Sequence, residues 1–111
     1  MTDSEAQDFI EASAIGNQWI EVTMDDKSVW KVPVWVIALS RAREYCSEFG
    51  DLKSSLSEDT ILLFAEDSYE ICDWAKNNMN WDDVERYAKQ IQSEPPDYQE
   101  GWVNGEMRVI R

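Results

Sequence analysis

The spacing of apolar residues changes at Pro33, and this change constrains the fold more than any other feature of the sequence. Before it, residues 19–24 and 28–32 alternate between apolar and polar side chains. After it, apolar residues recur every three or four positions as far as Phe49. A period of two is typical of a half-buried strand, and the longer period is typical of an amphipathic helix. We therefore predict a β-hairpin that leads into a helix, with Pro33 at the first helical position, where its missing N–H costs nothing.

The turn of this hairpin accounts for an otherwise conspicuous pair of acids. Asp25 and Asp26 lie between the two alternating segments and are followed by Lys27. Aspartate tolerates turn geometry, and its carboxylate bonds readily to its own main chain. We therefore interpret the pair as turn residues and not as a catalytic carboxylate pair. At the far end of the first helix, Gly50 is placed to adopt the left-handed conformation that ends many helices.

Two further helices are predicted after a polar linker that covers residues 51–56. The second helix is expected over residues 58–78, with Ser57 as its cap and acidic residues in its first turn, where the helix dipole favours negative charge. A break near Asp67–Ser68 is the alternative to one continuous helix. A third helix is expected over residues 81–92.

The stretch DWAKNNMNWDDVER connects the second helix to the third. Asn80 is well placed to cap the third helix, and Asp83, three residues later, completes the pattern of a capping box. Met79 and Val84 flank this cap at the spacing of a hydrophobic staple. The stretch is therefore interpreted as a helix–helix joint and not as an acid–base pair.

The C-terminal region is expected to complete the sheet. Pro95–Pro96 stops the third helix, since proline cannot continue one. Asn104–Gly105 is a strong turn signal, so a C-terminal strand or hairpin is expected to join the first hairpin. The sequence thus predicts a single α+β domain over residues 1–111, with a small antiparallel sheet packed against about three α-helices. Residues 1–17 are expected either to be loose or to form a short helix over residues 8–15.

The composition argues against catalysis. The chain contains no histidine, which is the commonest general base, and it has no phosphate-binding loop and no nucleophile motif. Cys46 and Cys72 lie 26 residues apart without a CxxC pattern, which makes a poor zinc site. We therefore expect a protein that is not an enzyme and that uses no metal and no cofactor.

Net charge and hydropathy limit the kinds of partner that the protein can bind. With 23 acidic and 10 basic residues the formal charge is −13, which repels nucleic acid and anionic membrane and attracts basic surfaces. No apolar run is long enough to span a bilayer, and the N-terminal segment lacks the basic start of a signal peptide. These features predict a soluble cytoplasmic protein that binds neither nucleic acid nor membrane directly.

The acidic residues concentrate in residues 54–85, where nine acids and one base give a net charge of −8. On a single helix, Glu66, Glu70 and Asp73 share one face over roughly 10 Å, with Asp59 in support. Like charges four residues apart destabilise a helix slightly, so a purely structural helix would more often carry a lysine there. We predict that Asp59, Glu66, Glu70 and Asp73 form a partner-binding surface. A solvated face that only keeps the protein soluble is the alternative.

Three phrases of the sequence carry a resemblance. They are VWKVPVWVIALSRAREY (residues 29–45), DWAKNNMNWDDV (residues 73–84) and PDYQEGWVNGE (residues 96–106). They look like small acidic proteins of tailed bacteriophages and prophages whose function is not characterised. The resemblance therefore implies a setting, the bacterial host cytoplasm, and no site residues.

Two functions follow from these observations. The first is an interaction module that binds a basic host or phage protein, for example by occupying its nucleic-acid-binding groove as a nucleic-acid mimic or inhibitor. The second is a structural or accessory role in which exposed tryptophans build a homo-oligomer or an assembly, because tryptophan is enriched in interface hot spots. The tryptophans that a core this small does not easily enclose are Trp30, Trp35, Trp74, Trp81 and Trp102.

Overall fold

The computed structural model describes residues 1–92, 102 and 106–110 and shows an α+β fold built on a four-stranded antiparallel sheet. The strands are β1 (Trp19–Thr23), β2 (Val29–Pro33), β3 (Lys89–Gln92) and β4 (Glu106–Ile110), in the spatial order β3-β2-β1-β4. The predicted N-terminal hairpin and its pairing with a C-terminal strand are both confirmed. The predicted turn at residues 104–105 and the predicted helix stop at residues 95–96 lie outside the described residues.

The turn between β1 and β2 forms as its aspartates predict. The N–H of Lys27 donates to the carbonyl of Met24, and the N–H of Met24 donates to the carbonyl of Ser28, both at 2.8 Å. The carboxylate of Asp26 accepts a hydrogen bond from the N–H of Ser28 at 2.9 Å. Asp26 therefore stabilises the turn, as expected for a residue of this type at this position.

The rest of the described chain is mainly helical. Its segments are α1 (Asp3–Glu11), α2 (Val34–Phe49), α3 (Leu52–Ser55), a π-helical segment (Leu56–Thr60), α4 (Ile61–Glu66), α5 (Tyr69–Asn78), α6 (Trp81–Val84) and a 3-10 turn (Glu85–Tyr87). The described residues therefore contain more helical segments than the three predicted. α2 agrees with prediction except that Pro33 is its N-cap, and Gly50 ends it with a φ of 90°. A short N-terminal helix is present, but it begins at Asp3 and not at residue 8, because Thr2 and Glu5 form a capping box there.

Two predicted boundaries are wrong. Residues 51–56, expected to be a linker, are helical from Leu52, because the carboxylate of Asp51 accepts the N–H of Ser54 at 2.7 Å and so caps the helix. Leu56 is fully buried there, and its packing stabilises the added turns. Residues 89–92, expected to end the third helix, form β3, because pairing with β2 satisfies their backbone groups.

The core lies against one face of the sheet. Ile20 and Val22 of β1 and Val32 of β2 are fully buried together with Ile37 of α2. The other residues of β1 alternate with them and are only half-buried. The sheet therefore has an inner face covered by helices and an outer face that is more open. Within the described ranges, none of the helices combines the length and apolar character needed to cross a membrane.

Candidate acidic interface

The helix predicted to carry a column of acids is broken in the middle. α4 ends at Glu66, and Asp67 adopts an extended backbone conformation with φ −140° and ψ 102°. The carboxylate of Asp67 accepts a hydrogen bond from the N–H of Tyr69 at 3.0 Å, next to the start of α5. The alternative of a break at this point is therefore confirmed, and the single straight column of carboxylates is wrong.

The predicted carboxylates instead lie around the junction of two helices. Glu66 is exposed at the C-terminal end of α4. Glu70 lies in the first turn of α5, where the helix dipole stabilises a negative charge. Asp73 lies three residues further along α5 and accepts a hydrogen bond from the side-chain amide of Asn77 at 2.9 Å. Glu70 and Asp73 thus share a helix face, whereas Glu66 belongs to the preceding helix.

The fourth predicted residue, Asp59, is engaged inside the helical layer. Nη1 of Arg41 lies 2.6 Å from Oδ2 of Asp59 and donates a second hydrogen bond to Oγ1 of Thr60 at 2.9 Å. The side chains of Arg41 and Asp59 are only 14% and 27% exposed. Asp59 therefore neutralises a partly buried arginine and links the π-helical segment to α2. Because the carboxylate of Asp59 is already paired with Arg41, it differs from an acid that is available to a partner.

Aromatic contacts extend this linkage to α5. The guanidinium carbon of Arg41 lies 4.7 Å from the ring centroid of Tyr45 and 6.0 Å from that of Trp74. Nε1 of Trp74 donates a hydrogen bond to Oγ of Ser40 at 3.1 Å. Because Trp74 follows Asp73 directly in α5, these contacts fix the acidic face of α5 relative to α2.

Exposed apolar side chains accompany the acids at this junction. Within the described residues, the exposed large hydrophobic side chains are Met1, Leu62, Tyr69 and Ile91. Leu62 is 59% exposed and precedes Glu66 by one turn of α4, and Tyr69 is 68% exposed and precedes Asp73 by one turn of α5. We define the acidic corner as Leu62, Glu66, Asp67, Tyr69, Glu70 and Asp73. Leu62 and Tyr69 thus leave apolar surface exposed on the same two helices as these carboxylates.

The stretch DWAKNNMNWDDVER, which begins at Asp73 of the acidic corner, forms a joint between helices. Asn80 and Asp83 form a capping box in which the carboxylate of Asp83 accepts the N–H of Asn80 at 2.8 Å. Met79 and Val84, the predicted staple residues, are both buried. The interpretation of the stretch as a helix–helix joint is therefore confirmed.

The expectation of exposed tryptophans is wrong. Trp81 and Trp102 are 2% and 0% exposed. The other tryptophans are half-buried: Trp19, Trp30, Trp35 and Trp74. The rings of Trp30 and Trp81 meet edge to face with centroids 5.4 Å apart, and Trp81 lies 6.3 Å from Trp102. Packing among the aromatic rings themselves is what allows a small core to enclose so much of their surface.

Other polar groups near these helices are already engaged. Burial raises the pKa of the Cys72 thiol, and Lys76 offsets this only in part, so the reactive thiolate is disfavoured at neutral pH.

A groove of about 310 Å³ between α1, α2 and α6 contains Arg43, Asp3 and Asp83. Arg43 is paired there with Asp3, and Asp83 caps α6. No group of three or more acidic or cysteine side chains within the described ranges is arranged to hold a metal ion.

Comparison of the chain with models of protein families, with curated proteins and with solved structures finds no match. The resemblance to small acidic phage proteins gains no support from these comparisons and stays a prediction from the sequence.

Proposed function

We propose that this chain is a non-enzymatic interaction module whose acidic corner binds a basic surface of another protein. One observation carries the proposal, namely that charge and exposed apolar side chains occur together. The corner holds four carboxylates within a segment of net charge −8. It also contains Leu62 and Tyr69, two of the four exposed large hydrophobic side chains in the described part of the chain.

The two kinds of side chain have different tasks in this proposal. Glu66, Asp67, Glu70 and Asp73 attract a basic partner and accelerate the encounter, because complementary charge acts mainly on association rate and specificity. Tyr69 and Leu62 supply the apolar contact that gives the complex its lifetime, and tyrosine is among the residues enriched in hot spots. The anchoring of α5 through Trp74 keeps the surface preorganised, which lowers the cost of ordering it on binding.

The break at Asp67 bears on what kind of basic surface the corner suits. Phosphates follow one another at about 3.4 Å along a DNA strand. Carboxylates on two helices do not reproduce so regular a spacing, so the corner fits a compact cluster of lysines and arginines better than an extended phosphate-binding track. If that cluster forms part of a nucleic-acid-binding groove, binding there would inhibit the partner. We propose that the partner is a phage or host protein in a bacterial cytoplasm.

A structural or assembly role is the second candidate, and the structure removes the main observation on which it was based. It relied on exposed tryptophans, and none of the six is exposed. Ile91 on the edge strand β3 is 49% exposed and is an apolar side chain that such a role could use.

The experiment is a pull-down from bacterial lysate at two salt concentrations, with bound proteins identified by mass spectrometry. The test variant is Glu66→Gln, Glu70→Gln and Asp73→Asn, which keeps size and hydrogen-bonding capacity and removes three charges. The matched control removes three exposed acids elsewhere: Asp25→Asn, Glu44→Gln and Glu48→Gln.

We expect the wild type and the matched control to retain the same basic protein at low salt. The test variant should lose it with an unchanged melting temperature, and higher salt should weaken capture by the wild type. Retention of the same partners by the test variant would show that the corner is a solvated face, as in the alternative interpretation of its charge. Equal loss in the control would show that total charge matters and the corner does not.

A further inference from the structure

The strand register gathers basic side chains on the outer face of the sheet. Lys31 of β2 lies opposite Glu21 of β1 on one side and opposite Lys89 of β3 on the other. Arg108 of β4 lies opposite Glu21 from the other edge. Trp19 is two residues before Glu21 and so shares its face. We define the basic face as Trp19, Glu21, Lys31, Lys89 and Arg108.

Two lysines of the basic face lie in an arrangement that a sheet under selection for stability alone would avoid. Lys31 and Lys89 are direct cross-strand neighbours, and like charges in that position destabilise a sheet. Their ammonium groups lie 4.4 Å and 5.6 Å from the centroid of the Trp19 ring. The nearby carboxylate of Glu21 is taken by Arg108, whose Nη2 lies 2.9 Å from it. Among the side chains that the structure describes, no carboxylate forms a salt bridge with either lysine.

The basic face therefore complements the acidic corner of the same protein. Among its five residues, three cations stand against one carboxylate, in a chain whose total charge is −13. The acidic corner carries four carboxylates and lies on helices, whereas the basic face is the side of the sheet that does not carry the core. One molecule thus presents two surfaces of opposite charge, and a second copy presents the matching ones.

We propose that a second copy of this chain is one basic partner of the acidic corner, so that the acidic corner of one copy docks on the basic face of the next. This inference rests on the proposed function and identifies a partner for it. The docked carboxylates would neutralise Lys31 and Lys89, and Trp19 would give Tyr69 an apolar surface to contact. Because the two surfaces differ, the contact is head-to-tail, and each pair leaves one corner and one face open for further copies.

Salt concentration decides whether this contact can form between chains that repel each other overall. At about 0.1 M salt the Debye length is about 10 Å, so most of the repulsion between whole chains is screened while charges in contact still attract. At about 1 M salt it falls to about 3 Å, and the contact pairs weaken as well. We therefore expect wild-type protein to associate with rising concentration at about 0.1 M salt, and to be monomeric at about 1 M salt.

Charge reversal on either surface tests the geometry by sedimentation equilibrium. The face variant is Lys31→Glu with Lys89→Glu, and the corner variant is Glu66→Lys with Glu70→Lys. Each variant alone should be monomeric. Mixed in equal amounts they should associate again, because the intact corner of the face variant can dock on the intact face of the corner variant, and the two reversed surfaces are also of opposite charge. The control Lys27→Glu with Lys53→Glu makes the same charge change at exposed sites and should associate to within about a factor of three of the wild type.

The outcomes separate this inference from the proposed function. A wild type that stays monomeric at about 0.1 M salt, or a mixture of the two variants that does not associate, overturns self-association. If the corner still captures a basic protein from lysate in that case, the proposed function survives. If the basic face instead binds a single-stranded oligonucleotide, and this binding is lost in the face variant, an external polyanion replaces the second copy. Circular dichroism establishes that each variant is folded. If charge reversal unfolds the face variant, Lys31→Gln with Lys89→Gln takes its place.

Discussion

The indole N–H of Trp102 donates a hydrogen bond to the main-chain carbonyl of Met79 at 2.9 Å. The same N–H lies 3.0 Å from the carbonyl of Ala75, so it bridges two carbonyls at the C-terminal end of α5. Carbonyls at such an end have no partner within their own helix. A fully buried side chain more than 20 residues further along the chain therefore completes the joint between α5 and α6.

Trp102→Phe should destabilise the fold by about 1–3 kcal/mol, because phenylalanine keeps an aromatic ring but leaves buried carbonyls without a donor. Urea unfolding followed by circular dichroism gives the free energy of unfolding. The matched control is Trp35→Phe, the same change at a half-buried position, which should cost less. Equal costs at the two positions would show that ring volume matters and the hydrogen bond does not.

Asn80→Ala should lower the free energy of unfolding by about 1 kcal/mol, because alanine cannot cap α6. Asn78→Ala, two residues earlier at an exposed position, serves as the control and should change stability little. Partner binding should fall only in proportion to the folded fraction. Loss of binding at an unchanged melting temperature would contradict the assignment of Asn80 to a structural joint.

The sequence predicts well those elements whose conformation is decided by residues close together in the chain. The helical conformation of α2 and its end at Gly50 are local features, and both are found as expected. The capping box of Asn80 and Asp83 is local too, and it forms. The turn at Asp26 belongs to the same class, since its hydrogen bond spans two residues.

Elements that depend on distant contacts could not be predicted in this way. β3 consists of four residues whose pairing with β2 decides their conformation over any helical preference. The π-helical segment shifts the helical register, which a search for a constant period of 3.6 does not detect. In the candidate site, Asp59 is paired with Arg41 across 18 residues, and no spacing rule links them. The basic face was missed because Lys89 joins Lys31 only once β3 is known to be a strand.

Cys72 should react slowly with thiol reagents in the folded protein, because burial raises the pKa of its thiol. The sign follows from linkage: the protonated thiol is favoured on folding, so this contribution to stability is present below the unfolded pKa and is lost as the pH rises through the folded pKa. In a Cys46→Ala background, labelling rate against pH should have a higher midpoint in buffer than in denaturant. Lys76→Gln should raise the midpoint further. A midpoint equal to that in denaturant would contradict the effect of burial.

Arg41 and Asp59 should be coupled more strongly than the exposed pair of Arg108 and Glu21. Both pairs have short contacts, at 2.6 Å and 2.9 Å between nitrogen and oxygen. The side chain of Arg41 is 14% exposed and that of Arg108 is 71% exposed, so solvent screens the second pair far more. Arg41→Met should cost about 1.5–3 kcal/mol, because it removes charged hydrogen bonds in a partly buried site.

Double-mutant cycles measure the two couplings by urea unfolding. Arg41→Met with Asp59→Asn should give a coupling of about 1 kcal/mol or more, whereas Arg108→Met with Glu21→Gln should give less than about 0.5 kcal/mol. Arg41→Lys should recover only part of the loss, because an ammonium group cannot reproduce the fixed geometry of the guanidinium between Asp59 and Thr60. A coupling below about 0.5 kcal/mol between Arg41 and Asp59 would mean that Asp59 is not held by Arg41. Asp59 would then be free to act with the acidic corner, as the sequence alone suggested.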